Sequence, residues 1–319
     1  VVAAIRAGLT RLYALPAGYE VLLGVGGVTL FWEAAASSLI DRRSEHLVFG
    51  EFSAKFAAIV AATPHLEQPV LVESAPGSAP VPDAAADVDT FALTHCETST
   101  GVMAPVVRPR RDGSLVIVDG TSAAGATVVD PVAFDAYYFS PQKAFGSEGG
   151  LWIALCSPDA VTRIETISST GRWIPPMSSL RTALDNSRKN QTYNTSALTT
   201  LFLLADQISW LEAQGGLAWA AARAERSSDI VYRWADASPI ASPFVTDPRH
   251  RSTTVVTVDL DDAVPAAVVA GVLRRNGIVD TEGYRKLGRN QLRIATFPNV
   301  DPNDVETLLA AIDHIAERI

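Results

Sequence analysis

Lys143 stands in a short polar turn, Ser140-Pro-Gln-Lys-Ala-Phe-Gly-Ser-Glu-Gly-Gly150, between two apolar runs. Tyr137-Tyr138-Phe139 before it and Leu151 to Cys156 after it read as buried strands. A lysine confined there loses water, its pKa falls, and the neutral amine is a nucleophile. A solvated lysine on a glycine-rich loop is the plain alternative. Three more groups follow apolar runs. Asp119 ends Ser114–Val118, where a carboxylate is either a helix N-cap or a buried counter-ion. Thr98, in His95-Cys-Glu-Thr-Ser-Thr-Gly101, can serve a ligand or satisfy its own turn. Gly26-Gly27-Val28-Thr29 follows the run Glu20–Gly24 and opens a helical pattern. Backbone N–H groups and a helix dipole would make it an anion cup, unless the glycines serve packing alone. The run Gly24 to Thr29 misses the last glycine of G-x-G-x-x-G, and no Gly-Lys-Ser/Thr follows.

A second constellation lies near the C-terminus. Arg285, Lys286, Arg289 and Arg293 make the only strong basic cluster expected in an acidic chain. A solvated loop is one reading. Arg293, however, falls inside an apolar strand pattern, where an unpaired charge is costly. Phe52 shares helical spacing with Phe56, so a place in the core and a place over a ligand are both open.

The elements that must position these groups are short. Further strands are expected at His46–Phe49, Pro69–Val72 and Thr90–Thr94, with helices over Leu30–Ala36 and Ser53–Val60 between them. Continuous apolar strands alternating with helices imply an α/β fold with a mostly parallel sheet covered on both faces. In such sheets ligands collect at the carboxyl ends of the strands, where all four groups fall. A long helix is predicted over Ala197–Gln214, capped by Thr195 or Ser196 and stopped by Gly215-Gly216. A second follows over Leu217–Ala235. Beyond Pro239 and Pro243 the pattern changes to a small α+β unit: strands Thr253–Leu260 and Gln291–Phe297, helices Val264–Asn276 and Asp304–Arg318.

Composition narrows the function. The 319 residues carry a net charge of −9, which argues against nucleic acid as a partner. No apolar run of 18 residues predicts a membrane span. The two cysteines, Cys96 and Cys156, sit in no C-x-x-C or His/Cys pattern, so no metal site or disulfide framework is expected and a reducing cytoplasm fits.

Taken together, a strand-end Asp119, a Ser-Pro-Gln-Lys143 turn 24 positions later, Gly26-Gly27, Glu97-Thr98 and Tyr193-Asn194-Thr195 resemble the phosphoserine aminotransferases. The string Gly277 to Arg293 is similar to their actinobacterial branch, and the likeness spans essentially the whole chain. It implies a fold-type-I pyridoxal-phosphate transferase: a large cofactor-binding domain over 1–217 and a small C-terminal domain over 218–319. By the resemblance, Lys143 holds pyridoxal 5′-phosphate covalently and shuttles a proton, and Asp119 pairs with the pyridine nitrogen. Thr98 bonds the ring oxygen, and Phe52 stacks on the ring. Gly27, Val28 and Gln142 take the phosphate, with Asn194 and Thr195 reaching it from the second subunit of a homodimer. Arg293 binds the substrate carboxylate and Arg285 its other anionic end. The reaction implied is ping-pong transfer between glutamate and 3-phosphohydroxypyruvate, giving O-phosphoserine and 2-oxoglutarate in serine biosynthesis.

The chain departs from the pattern at Cys96, Tyr284 and Val28, where relatives often carry Asn, His and, in some, Arg. An alanine–glyoxylate type of aminotransferase and a non-enzymatic Rossmann-like nucleotide-binding module are the other readings kept. A cysteine desulfurase is set aside because both cysteines lie in or beside strands. Val1–Leu12 reads as a helix already within the large domain, and the family's Ser-His-Arg string is missing before Gly24. A further N-terminal segment is therefore expected in the natural protein.

Overall fold

The computed structural model describes residues 1–319. Seven apolar runs hydrogen-bond into one sheet: β1 (Glu20–Val25), β2 (Ser44–Val48), β3 (Val70–Glu73), β4 (Thr90–Thr94), β7 (Leu115–Asp119), β8 (Ala136–Phe139) and β9 (Leu151–Cys156). The intervening β5 (Cys96–Glu97) and β6 (Val102–Met103) form a separate two-stranded ribbon. Spatial order in the large sheet is β1-β9-β8-β7-β4-β2-β3. The five strands from β8 to β3 are parallel, and β9 runs antiparallel to both neighbours. Every residue of β4, β7, β8 and β9 is buried, as expected of strands covered on both faces.

The helices of this part are α1 (Val2–Leu12), α2 (Gly27–Ser38), α3 (Glu51–Ala62), α4 (Pro158–Ser169), α5 (Leu180–Arg188) and α6 (Leu198–Gln214). They cover opposite faces, and the two-residue period of the strands sends side chains alternately to each. Tyr137 and Phe139 of β8 join Ile5, Leu9 and Ile208 in one core. Tyr138 between them joins Phe31, Trp32, Phe56 and Trp152 in the other.

α7 (Gly216–Ala237) belongs to both parts of the molecule. Its Leu217 and Ala220 pack in the first core, while Val231, Tyr232 and Ala235 pack in the third. That third core lies under the antiparallel sheet β10 (Ala241–Pro243), β11 (Val255–Leu260) and β12 (Gln291–Ala295), with α8 (Ala266–Arg275) and α9 (Pro302–Ala316). The two parts are stitched beside β5 and β6. Ser252 N–H donates to Gly101 O at 3.1 Å, and Thr257 Oγ1 to Thr100 O at 2.9 Å. No helix is long and apolar enough to cross a membrane.

Two expectations at helix ends need correction. α2 starts at Gly27, not Leu30, so the glycine turn is itself the helix start. α6 is capped by neither Thr195 nor Ser196: its N-cap is Ala197, without a side-chain bond. Ser196 Oγ instead meets Thr192 Oγ1 at 3.0 Å, and Thr195 N–H donates to Asn194 Oδ1 at 2.9 Å. The glycine stop does hold, with Gly215 at φ 117°.

Candidate active site

The carboxyl ends of the parallel strands surround a cavity of about 330 Å³. One wall is the turn from β1 into α2. Gly26 and Gly27 take φ of 104° and 70°, a region that favours glycine. Gly26 N–H donates to Gly150 O at 2.9 Å, which ties this turn to the lysine loop. No side chain caps α2, so its first amides have no side-chain partner, and Gly27, Val28 and Thr29 line the cavity.

Lys143 lines the same cavity from the loop between β8 and β9. It is half-buried, whereas the other three lysines, Lys55, Lys189 and Lys286, are exposed. Burial lowers its pKa, and the Arg293 charge adds to this; Cys96, Asp119 and Glu97 act the other way. The sequence reading of a desolvated amine therefore agrees with the geometry.

Asp119 ends β7 and is 7% exposed. Its Oδ1 accepts from Thr121 N–H at 2.9 Å and its Oδ2 from Trp32 Nε1 at 3.3 Å. Trp32 Nε1 also donates to Tyr138 Oη at 3.0 Å. Turns rather than a helix follow Asp119, so it is not a helix N-cap. Burial pushes its carboxyl up to about 6, against the hydrogen bonds from Thr121 and Trp32, and the Glu97 charge pushes it the same way as burial.

Thr98 is buried, and its hydroxyl meets that of Ser122 rather than its own turn's backbone. Phe52, in the first turn of α3, lines the cavity while Phe56 goes to the core. The Phe52 ring sits edge-on to Tyr284 at 5.9 Å. Gln142 lines the cavity as well. Thr94, Thr121, Ser122, Trp32 and Cys96 line it too. The buried Thr121 hydroxyl has no hydrogen-bond partner in the chain.

The basic cluster divides on inspection. Lys286 pairs with Glu51 at 2.5 Å and Arg289 with Asp259 at 2.6 Å. Arg293 is half-buried with no carboxylate partner. Its Nη1 donates to Thr98 O at 3.4 Å, and its guanidinium lies 5.6 Å from the Tyr284 ring centroid. Burial lowers its pKa. Arg285 is exposed on the one-turn helix Arg285–Leu287 and lines a cleft beside Tyr284. The cluster is not the only one. Arg108, Arg110 and Arg111 form another on a different surface, where Arg108 is held by Asp135 at 2.9 Å.

Asn194 and Thr195 are exposed before α6 and do not line the cavity. Trp32, Thr121 and Ser122 were not anticipated. The last two follow Asp119 at the strand end, which is a usable signal; Trp32 gives none beyond its helix. No group of His, Cys, Asp or Glu side chains could hold a metal ion.

The class-V aminotransferase family matches residues 83–310. The phosphoserine aminotransferase of a Nocardioides species is 56% identical over 318 residues, covering 99% of this chain and 85% of that protein. That of Rhodococcus jostii is 53% identical over 320 residues, covering 100% and 86%. The crystal structure of a phosphoserine aminotransferase from Cytophaga hutchinsonii superposes with a TM-score of 0.90 at 25% identity, over 98% of this chain and 87% of that one. The chain belongs to the class-V aminotransferase family, with the aminotransferase fold expected of it. Within that family its place is among the phosphoserine aminotransferases.

Proposed function

We propose that this chain transfers an amino group from glutamate to 3-phosphohydroxypyruvate, giving 2-oxoglutarate and O-phosphoserine, with pyridoxal 5′-phosphate in the strand-end cavity. One observation carries the reading: Lys143, Asp119 and the uncapped start of α2 all line the same cavity. An amine, a carboxylate and an anion cup match the aldehyde, the pyridine nitrogen and the phosphate of that cofactor.

When bound, the cofactor supplies an electron sink for the charge left at the substrate's α-carbon. The residues do the rest. Lys143 Nζ would hold the aldehyde carbon, and as a free amine it would serve as the general base and acid for the α-proton. Asp119, as a carboxylate, would pair with the ring nitrogen and hold its proton there, which keeps the sink effective. Thr98 would donate to the ring oxygen, and Phe52 would cover a ring face. The amides of Gly27 and Val28 and the Gln142 side chain would take the phosphate. Arg293, desolvated and free of any carboxylate, takes the substrate carboxylate through two parallel hydrogen bonds. Arg285, exposed in the neighbouring cleft, would meet the distal phosphate and favour a phosphorylated substrate over an alanine–glyoxylate pair.

Asn194 and Thr195 act in this reading from a second subunit. Their neighbours Tyr193, Leu198 and Phe202 are 53%, 68% and 61% exposed, an apolar surface suited to a partner copy. The large domain takes residues 1–217 and the small one 218–319, with α7 packing into both. Buried free thiols at Cys96 and Cys156 fit a reducing cytoplasm. The test is steady-state turnover. Glutamate with 3-phosphohydroxypyruvate should exceed alanine with glyoxylate in kcat/KM by about a hundredfold or more. The reverse order would contradict the substrate assignment.

A further inference from the structure

Glu97 is fully buried and forms no salt bridge, yet its carboxylate is saturated with donors. Oε2 accepts from Phe52 N–H at 3.1 Å, Ser53 N–H at 2.9 Å and Ser53 Oγ at 2.9 Å. Oε1 accepts from Ser99 N–H at 3.2 Å and Ser99 Oγ at 2.7 Å. Ser99 Oγ in turn accepts from Glu51 N–H at 3.0 Å. The first three amides of α3 are thus capped from the turn that follows β4, not from residues next to the helix. The packing leaves room for nothing else. A Cβ on Gly50 would fall 2.4 Å from Glu97 Cγ and 2.5 Å from Ser99 Oγ.

This cap joins two walls of the cavity. Thr98 is the next residue after Glu97, and Phe52 is one of the residues whose amide the carboxylate holds. We propose that Glu97 is a positioning residue for the cofactor ring: it locks the Thr98 turn to the Phe52 turn and sets the gap between hydroxyl and aromatic face. The inference rests on the reading above, in which Phe52 and Thr98 meet the ring. Ring placement to within a fraction of an ångström is what such a clamp supplies.

Glu97→Gln separates positioning from bulk stability. An amide can keep its oxygen toward α3 and turn its NH2 toward Ser99, whose hydroxyl can accept. The Phe52 side then survives, and the Ser99 N–H loses its acceptor. Ser99→Ala loosens the same side with a smaller change, and carries the test if Glu97→Gln does not fold. Each cofactor-free protein is titrated with pyridoxal phosphate and each holoenzyme with pH, following the visible band of the lysine-bound cofactor, beside Phe52→Leu and Thr98→Val. Loss of one charge-assisted bond predicts a cofactor Kd about tenfold higher and kcat about tenfold lower, with KM within about twofold. The band's pH midpoint should move by about half a unit or more in the direction seen with Thr98→Val. A merely structural Glu97 would lower Tm and leave the band and Kd alone. If Phe52→Leu and Thr98→Val move the band while Glu97→Gln and Ser99→Ala stay within about twofold in Kd, the positioning role is overturned and the site reading stands. If none of the four moves it, Phe52 and Thr98 do not face the ring, and the proposal falls with them.

Discussion

α2 and α3 begin beside the same cavity and end their first turns differently. The amides of α3 are met by Glu97 and Ser99. Those of α2 are met by no side chain. The same contrast recurs in the charges: Arg289 has Asp259 and Arg108 has Asp135, whereas Arg293 and Lys143 have no carboxylate in contact. A group completed within the chain holds the fold. A buried group left incomplete carries a solvation cost that a ligand can remove, which makes it a better marker of function than residue type alone.

Breaking one group of each kind should give opposite signatures. Lys143→Ala should cut turnover by about ten-thousandfold or more without lowering Tm, because it removes the nucleophile and relieves a desolvated charge. Glu97→Ala should cost on the order of 3 kcal/mol in denaturant unfolding, since several buried donors lose their acceptor. If Lys143→Ala destabilised the fold as much as Glu97→Ala, the distinction would fail.

Asp119 offers a test by pH. Its folded pKa, about 6, lies above the ordinary 3.8. The stability it contributes is therefore present below the ordinary value and lost as pH rises through about 6. Against Asp119→Asn, cofactor-free protein should lose roughly 2 kcal/mol between pH 4 and 7. Added cofactor should cancel that loss by giving the carboxylate its cation. A difference between the two proteins that is flat with pH would mean that Asp119 is already compensated within the chain.

The arginines give a smaller effect. Arg293→Lys should lower kcat/KM for all amino and keto acids by about a hundredfold, since a lysine cannot make the paired bonds. Arg289→Lys, in an exposed pair, should stay within about twofold. Smaller than the Arg293 effect is that of converting α2 toward the α3 arrangement. Val28→Asp puts a carboxylate at the open helix end, so cofactor Kd should rise about tenfold while the cofactor-free Tm holds or rises. Unchanged affinity would show that the phosphate does not sit there.

Much of this was legible in the sequence. The strands could be read because those at the centre are apolar throughout, and Lys143, Asp119 and Gly26-Gly27 because strand ends are where an α/β sheet puts chemistry. What could not be read depends on partners far along the chain. Glu97 meets Phe52 across 45 residues, Thr98 meets Ser122 across 24, and Trp32 meets Asp119 across 87. Arg289 and Arg293 look alike until folding brings Asp259 to one of them. Thr195 and Ser196 had cap chemistry, but the Ser196 hydroxyl is drawn to Thr192 and the cap position falls on Ala197.

The most direct measurement is borohydride reduction of the cofactor-loaded protein followed by peptide mass mapping. The chain has four lysines, and three are exposed. The account predicts one phosphopyridoxyl group per chain, on Lys143. A protein that takes up no label, or takes it up on Lys55, Lys189 or Lys286, would contradict it.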